Sequence, residues 1–322
     1  MRGESRYAYL GPEGTFTEAA LRLLPEAAGS VYAPFPTVGS ALDAVRTGDC
    51  VGAVVPLENS VRGVVPATLD ELVSGGVPLR LDAEIEVPVT FALMARPGTE
   101  LADVRRVLSH PHAHGQCHHW LASRLPGAEV RLSASTAAAA REVAESASPG
   151  ARYDAAIAAP VAAARYGLSV LASGIGERWD AVTRFVSVRG AGPWPVRTGR
   201  DRTSIVVTAD GAHSGALVDI LAEFSTRGVG LTWIQSWPTG AALGSYHFFL
   251  DLDGHIEEAA VGDALMALRR RSVEVCFLGS YPYVGAGRPA SGDVLAPDPP
   301  GTTPEAWLHS LREGAPAPAS RP

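Results

Sequence analysis

From residue 6 to about 188 the chain alternates short apolar, β-branched runs with longer stretches whose apolar positions recur every three or four residues. That is the pattern of strands interleaved with amphipathic helices. The short runs predict strands at 7–10, 31–35, 51–57, 79–95, 106–108, 129–132, 155–158 and 184–188, with 79–95 either two strands or one long crossing element. The periodic stretches predict helices at 15–24, 38–47, 67–73, 114–124, 135–147 and 161–166. Regular alternation of this kind predicts an α/β domain with mostly parallel strands. The 79–95 segment divides the region into halves, a layout that suits two lobes across a cleft.

Residues 190–202 combine Gly, Pro and Arg without periodicity and read as a linker. Beyond them the pattern predicts strands at 203–208, 231–236, 245–252 and 273–279, and helices at 214–227 and 257–271. This βαββαβ order is the ferredoxin-like arrangement. After residue 284 the chain holds eight of its 25 prolines, so a disordered or loosely attached tail is expected. One short helix at 303–312, with Thr303 as cap and Pro304 in its first turn, is the exception.

Composition narrows the chemistry. At 322 residues the chain exceeds what one core usually holds, so two domains are expected. A net charge of -7 argues against a nucleic-acid or anionic-membrane partner. All 27 basic residues are arginine, and without lysine no Schiff base and no P-loop can form. Recognition of a carboxylate then falls to guanidinium groups and backbone amides. Cys50, Cys117 and Cys276 form no CxxC pair and suggest neither a disulfide framework nor a thiolate zinc site, which fits a reducing cytoplasm. The N-terminus shows no apolar signal core, and no stretch is long and apolar enough for a membrane span.

Several segments are candidates for a site. Gly11-Pro12-Glu13-Gly14-Thr15-Phe16-Thr17 follows a predicted strand and opens a predicted helix, where free N–H groups and the helix dipole favour an anion such as a carboxylate. The alternative is a plain turn with Thr15 as cap. It is not a GxGxxG, so no dinucleotide is implied. Pro56-Leu57-Glu58-Asn59-Ser60 ends an apolar run, where open α/β sheets present ligand-binding side chains, or else it is a turn stabilised by Asn59 and Ser60. Thr183-Arg184-Phe185 offers a hydroxyl, a guanidinium and a ring at a strand start, two of them also ordinary strand formers. The run 110–119 holds five of the nine histidines, and His114 and His118, one helical turn apart, could share zinc with Cys117 or His110. No Glu completes an HExxH there, and a solvated helix face accounts for the run without metal.

Together with Ser109-His110-Pro111, these segments resemble, in their order and over nearly the whole chain, the prephenate dehydratase family. The resemblance implies a two-lobed catalytic domain like type 2 periplasmic binding proteins over 5–189, the linker 190–202, a ferredoxin-like ACT regulatory domain over 203–282 and a Pro/Gly/Ala-rich tail over 283–322. It implies conversion of prephenate to phenylpyruvate, CO2 and water in L-phenylalanine biosynthesis. Aromatisation of the ring drives this elimination, so no cofactor is expected. The family's essential threonine matches Thr183, whose hydroxyl is too weak an acid to transfer a proton freely and would hydrogen-bond the leaving oxygen.

Thr15, Phe16, Glu58, Asn59, Ser60, Arg184 and Phe185 carry over as substrate-binding positions. Arg184 is the candidate carboxylate clamp, although neighbours on a strand face opposite ways. Gly215, Ala216 and Leu217 resemble the amino-acid-sensing start of an ACT helix. Gln235-Ser236-Trp237-Pro238 stands where relatives often carry Glu-Ser-Arg-Pro and bind phenylalanine. A tryptophan cannot fork to a carboxylate, so weakened or altered feedback is expected. Asp180 stands where the family has an asparagine, and His112 and His114 depart from its usual Gln and small residues. The partners implied are a small-molecule substrate, an L-phenylalanine effector and further copies of the chain in a homodimer or homotetramer, in the cytoplasm. The alternatives are an arogenate dehydratase, an inactive amino-acid-binding sensor and, more remotely, a metal-dependent hydrolase.

Overall fold

The computed structural model describes residues 5–74, 77–146, 152–209, 215–271 and 273–284. The expected tail beyond Val284, with its 303–312 helix, lies outside the described residues. The chain begins with β1 (Arg6–Leu10), α1 (Phe16–Leu23), β2 (Val31–Phe35), α2 (Val38–Arg46), β3 (Gly52–Asn59), β4 (Gly63–Val64), α3 (Pro66–Val73) and β5 (Arg80–Pro88). It then builds a second sheet from β6 (Ala92–Ala95), β7 (Arg106–Ser109), α4 (Pro111–Gln116), α5 (His118–Arg124), β8 (Glu129–Leu132), α6 (Thr136–Glu145), β9 (Ala155–Ala158), α7 (Pro160–Tyr166) and β10 (Ser169–Ser173). Next, β11 (Val182–Arg189) returns to the first sheet.

The first sheet runs β2-β1-β3-β11-β5, with β4 paired to β3, and the second runs β10-β6-β9-β7-β8. The fold is mixed α/β, but the strands are not mostly parallel. β1 pairs in parallel with β2 and β3, and β7 with β8 and β9. In contrast, β11 is antiparallel to both β3 and β5, and β6 to both β9 and β10. The reason is topological: the chain crosses from the first sheet to the second after β5 and recrosses before β11. Each crossing delivers a strand running the opposite way. The late strand β11 is threaded between β3 and β5, which sets Thr183 directly opposite Asn59.

Two helices, α4 and α5, replace the single helix predicted at 114–124. His110 caps α4, its ring accepting from the His112 N–H at 3.3 Å, and Pro111 occupies the first turn. β10, which the pattern did not predict, adds an antiparallel edge to β6.

The remaining elements are β12 (Asp201–Ala209), α8 (Ala216–Ser225), β13 (Leu231–Pro238), β14 (Tyr246–Asp253), α9 (Ala259–Arg270) and β15 (Glu274–Pro282), in βαββαβ order with strand order β13-β14-β12-β15. β12 begins at Asp201, so Asp201 and Arg202 belong to a strand and not to the expected linker. Both are buried.

Strand alternation gives the third sheet two apolar faces. Ile205, Val207, Leu250 and Leu252 pack against Ile220, Phe224, Val261 and Leu268 of the two helices. Val206, Phe249 and Leu278 instead share a core with Leu57, Leu81, Val186 and Val188 of the first sheet. Gly279 makes that second contact possible, because a Cβ there would collide with the Leu81 carbonyl oxygen. The other face of the first sheet, with Tyr7, Tyr9, Ile85, Val87 and Phe185, is covered by α1 through Ala20 and Leu21.

Candidate active site

The loop from Leu10 into α1 is closed by its own groups. Thr15 caps the helix, its Oγ1 accepting from the Glu18 N–H at 3.3 Å. The Gly14 N–H donates to buried Glu18 Oε2 at 2.6 Å, and Arg22 holds the other Glu18 oxygen at 2.5 Å. Glu18 thus occupies part of the anion-binding position expected for this loop. Gly14 has φ 80° and lies so close to α7 that a Cβ would sit 3.0 Å from the Tyr166 ring. Tyr166 in turn donates from its hydroxyl to the Glu13 carbonyl at 2.6 Å, and Arg165 pairs with Glu13, so the second sheet's layer grips this loop. Phe16 meets Phe91 edge-on at 5.8 Å and packs against the cores of both sheets.

The segment ending β3 separates its three polar side chains. Asn59 donates from Nδ2 to Thr183 Oγ1 at 2.8 Å, while its Oδ1 accepts from the Val61 and Arg62 N–H groups at 3.0 Å each. Those two backbone donors fix which end of the amide is oxygen. Ser60 serves the fold: its Oγ accepts from the Val182 N–H at 3.0 Å. Glu58 pairs across the ladder with Arg184, and its carboxylate comes within 4.0 Å of that guanidinium.

Two further expectations are corrected. Arg184 is not beside Thr183 as a clamp: its guanidinium is buried against the third sheet, 2.5 Å from Asp251 Oδ2. Phe185 is sealed in the core beneath α1, 2% exposed. Alternation along β11 turns Arg184 to the opposite face from Thr183, while Phe185 lies on the same face as Thr183 but two residues further along the strand, where α1 covers it.

Arg62, which the sequence reading passed over, sits in the same turn as Asn59. Its side chain is exposed and makes no ion pair among the described residues. Burial, together with the Arg62 charge, holds His110 and His112 below the usual histidine range. The signal available in the sequence was a lone arginine three residues beyond Asn59. In the histidine run, His114 and His118 stack edge-on at 6.1 Å and His119 Nδ1 lies 2.9 Å from Glu177. Among the described residues no group of three His, Cys, Asp or Glu side chains is arranged to hold a metal ion. No helix among them is long and apolar enough to cross a membrane. Asp180 pairs with Arg178 at 3.0 Å, and both side chains are about half exposed.

In the third sheet, Gly215 (φ 108°) precedes α8, with Ala216 and Leu217 half-buried in its first turn. Gln235 to Pro238 end the edge strand β13, where Gln235 donates to the Ser236 carbonyl at 2.8 Å. Trp237 is turned toward the first sheet's layer, donating from Nε1 to Asp70 Oδ1 of α3 at 2.7 Å.

Residues 7–192 match the sequence profile of the prephenate dehydratase family. The chain is 47% identical over 326 residues to the prephenate dehydratase of Mycobacterium leprae, covering 99% of this chain and 98% of the relative. Among solved structures it resembles the prephenate dehydratase of Arthrobacter aurescens in complex with L-Phe. The identity is 44% and the TM-score 0.78, over 96% of this chain and 98% of that one. It also resembles GqqA, described as a quorum quenching acylase, at 28% identity and TM-score 0.77 over 87% and 98% of the two chains.

Proposed function

The chain belongs to the prephenate dehydratase family, and on that premise we propose that the Thr183–Asn59 pair is the centre at which it converts prephenate to phenylpyruvate, CO2 and water. One observation carries the assignment. Because the Asn59 amide oxygen is engaged by two backbone donors, its NH2 must face Thr183, and the Thr183 oxygen must accept. The threonine's own proton is then free to point at the departing ring hydroxyl. Loss of that hydroxyl with CO2 makes the ring aromatic, so the reaction needs orientation and a placed hydrogen bond more than a strong acid. Arg62, exposed in the Asn59 turn, takes the carboxylate-binding role that Arg184 cannot, and its charge is felt at His110 and His112.

The first two sheets correspond to the two lobes of a type 2 periplasmic-binding-like catalytic domain, and the βαββαβ module to an ACT domain that binds L-phenylalanine. The relative crystallised with L-Phe supports that effector. Trp237, committed to Asp70 in place of the relatives' arginine, supports an altered response. The assembly is a cytoplasmic homodimer or homotetramer. Acyl transfer, the activity named for GqqA, finds little support: the hydrogen bond Thr183 receives is from an amide donor, with no general base beside it among the described residues.

Incubating the purified protein with prephenate and following the ultraviolet absorbance of phenylpyruvate tests the reading. A parallel assay with arogenate separates the two dehydratases. Binding of either without release of CO2 would instead identify a sensor.

A further inference from the structure

The strand that carries Thr183 on one face carries four-charge contact with the third sheet on the other. Arg184 Nη2 lies 2.5 Å from Asp251 Oδ2, its Nε lies 3.4 Å from Glu84 Oε2, and its guanidinium sits 5.2 Å above the Trp233 ring. Arg202 pairs with Glu84 and stacks 4.4 Å from the Tyr283 ring centre. The second Asp251 oxygen accepts from Ser204 Oγ at 2.5 Å, and that hydroxyl meets the Tyr281 hydroxyl at 2.7 Å. All four charged side chains are buried, and two cations balance two anions. Burial is the strongest single influence on Arg184 and opposes its charge, but Asp251, Tyr281 and Glu84 together outweigh it and raise the pKa.

Adhesion alone does not require these charges. A buried ion cluster is often no better for stability than apolar side chains of similar size, and Leu81, Val206, Phe249 and Leu278 already join the two sheets. What the charges add is position. Asp251 stands opposite Ser204 on β12 and Trp233 on β13, so it meets Arg184 in one register only, and a one-residue slip would turn it to the helices. Arg184 also sits where β11 shifts register against β3, between Arg184 and Phe185, immediately after Thr183. Irregularities of this kind loosen the ladder and re-aim side chains. An anchored guanidinium at that point decides how Thr183 sits against Asn59.

We propose that Asp251 is a positioning residue for the Thr183 reaction, acting through Arg184, so that the third sheet completes the site from the far face of β11. The inference rests on Thr183 being the reactive hydroxyl. Any ligand that displaces β14 then has a short mechanical route to the chemistry.

The test uses the full-length chain with Asp251→Asn, Asp251→Glu and, as an uncharged change in the same core, Phe249→Leu. D251N is expected to lower kcat at least about tenfold with KM within about threefold, and D251E to recover part of the loss. F249L should lower the melting temperature comparably while the folded protein keeps its kcat. Amides of residues 182–186 should exchange with solvent faster in D251N than in F249L. Loss of kcat only in proportion to unfolded protein, with equal exchange in both variants, overturns the proposal. A wild type that does not turn over prephenate defeats the functional reading, and the exchange comparison then decides the positioning role by itself.

Discussion

Thr183 and Arg184 are consecutive on β11, yet their polar ends serve opposite sides of the first sheet. The Thr183 oxygen meets the Asn59 amide at 2.8 Å on the α1 face, and the Arg184 guanidinium meets Asp251 at 2.5 Å on the face shared with the third sheet. One strand thus links the proposed reactive position to the βαββαβ module.

Removing the hydroxyl should separate chemistry from folding. Thr183→Ala is expected to reduce kcat by about 10² to 10⁴ with little change in melting temperature, and Thr183→Ser to retain more activity. Near-normal turnover by folded T183A in a steady-state assay would remove Thr183 from the mechanism.

The polarity of the Asn59 bond has its own test. Asn59→Asp keeps the acceptors for the Val61 and Arg62 N–H groups but loses the NH2, so Thr183 would turn its proton to the new carboxylate. We expect kcat to fall by about 10² to 10³ in a protein with an unchanged circular dichroism spectrum. Full activity in N59D would contradict the proposed direction of the bond.

An anchor and a clamp behave differently when truncated. Arg184→Met leaves Glu84 and Asp251 with Arg202 as their remaining cation, and should destabilise the fold by about 3 to 5 kcal/mol in chemical denaturation. The KM for prephenate of the folded fraction should stay within about threefold of wild type. A stable R184M protein with a greatly raised KM would restore the clamp.

Gly279→Ala tests the contact between the first and third sheets. The added methyl meets the Leu81 carbonyl on β5, so the sheets must part or twist, at a cost of about 1 to 3 kcal/mol. A melting temperature at or above that of wild type would show that the third sheet does not press on β5 at this point.

Acid should weaken the fold through the His110–His112 turn. Burial and the Arg62 charge lower both histidines in the folded state, so between their folded pKa values and about 6.5 the unfolded chain binds more protons. Stability therefore rises with pH through that window and is flat above it, and it is lost as pH falls from about 6.5. The melting temperature of the His110→Gln/His112→Gln variant should fall less over the same range. An identical fall in both proteins would mean that these two rings are not the source.

Much of this was legible along the chain. The alternation of short β-branched runs with three-to-four periodicity located nearly every strand and helix, because burial of one face imposes that spacing whatever the neighbours are. The strand 31–35, the strand 129–132 and the βαββαβ order are local patterns of this kind, whereas Asn59 and Thr183 are singled out by the resemblance of their motifs to the family. What the sequence determined by itself was therefore the elements, their order and the residue types available for chemistry.

The tertiary structure decided which of those residues share a face. Arg184 and Glu58 stand beside Thr183 or Asn59 in sequence and are carried to the other face by strand alternation, and Phe185, on the same face as Thr183, is covered by α1, while Asn59 reaches Thr183 across 124 residues because β11 threads between β3 and β5. Asp251 meets Arg184 only through the packing of one sheet upon another. Periodicity reports how each segment divides its own side chains between two faces, whereas strand order and the pairing of faces depend on contacts between segments far apart, which no local pattern encodes.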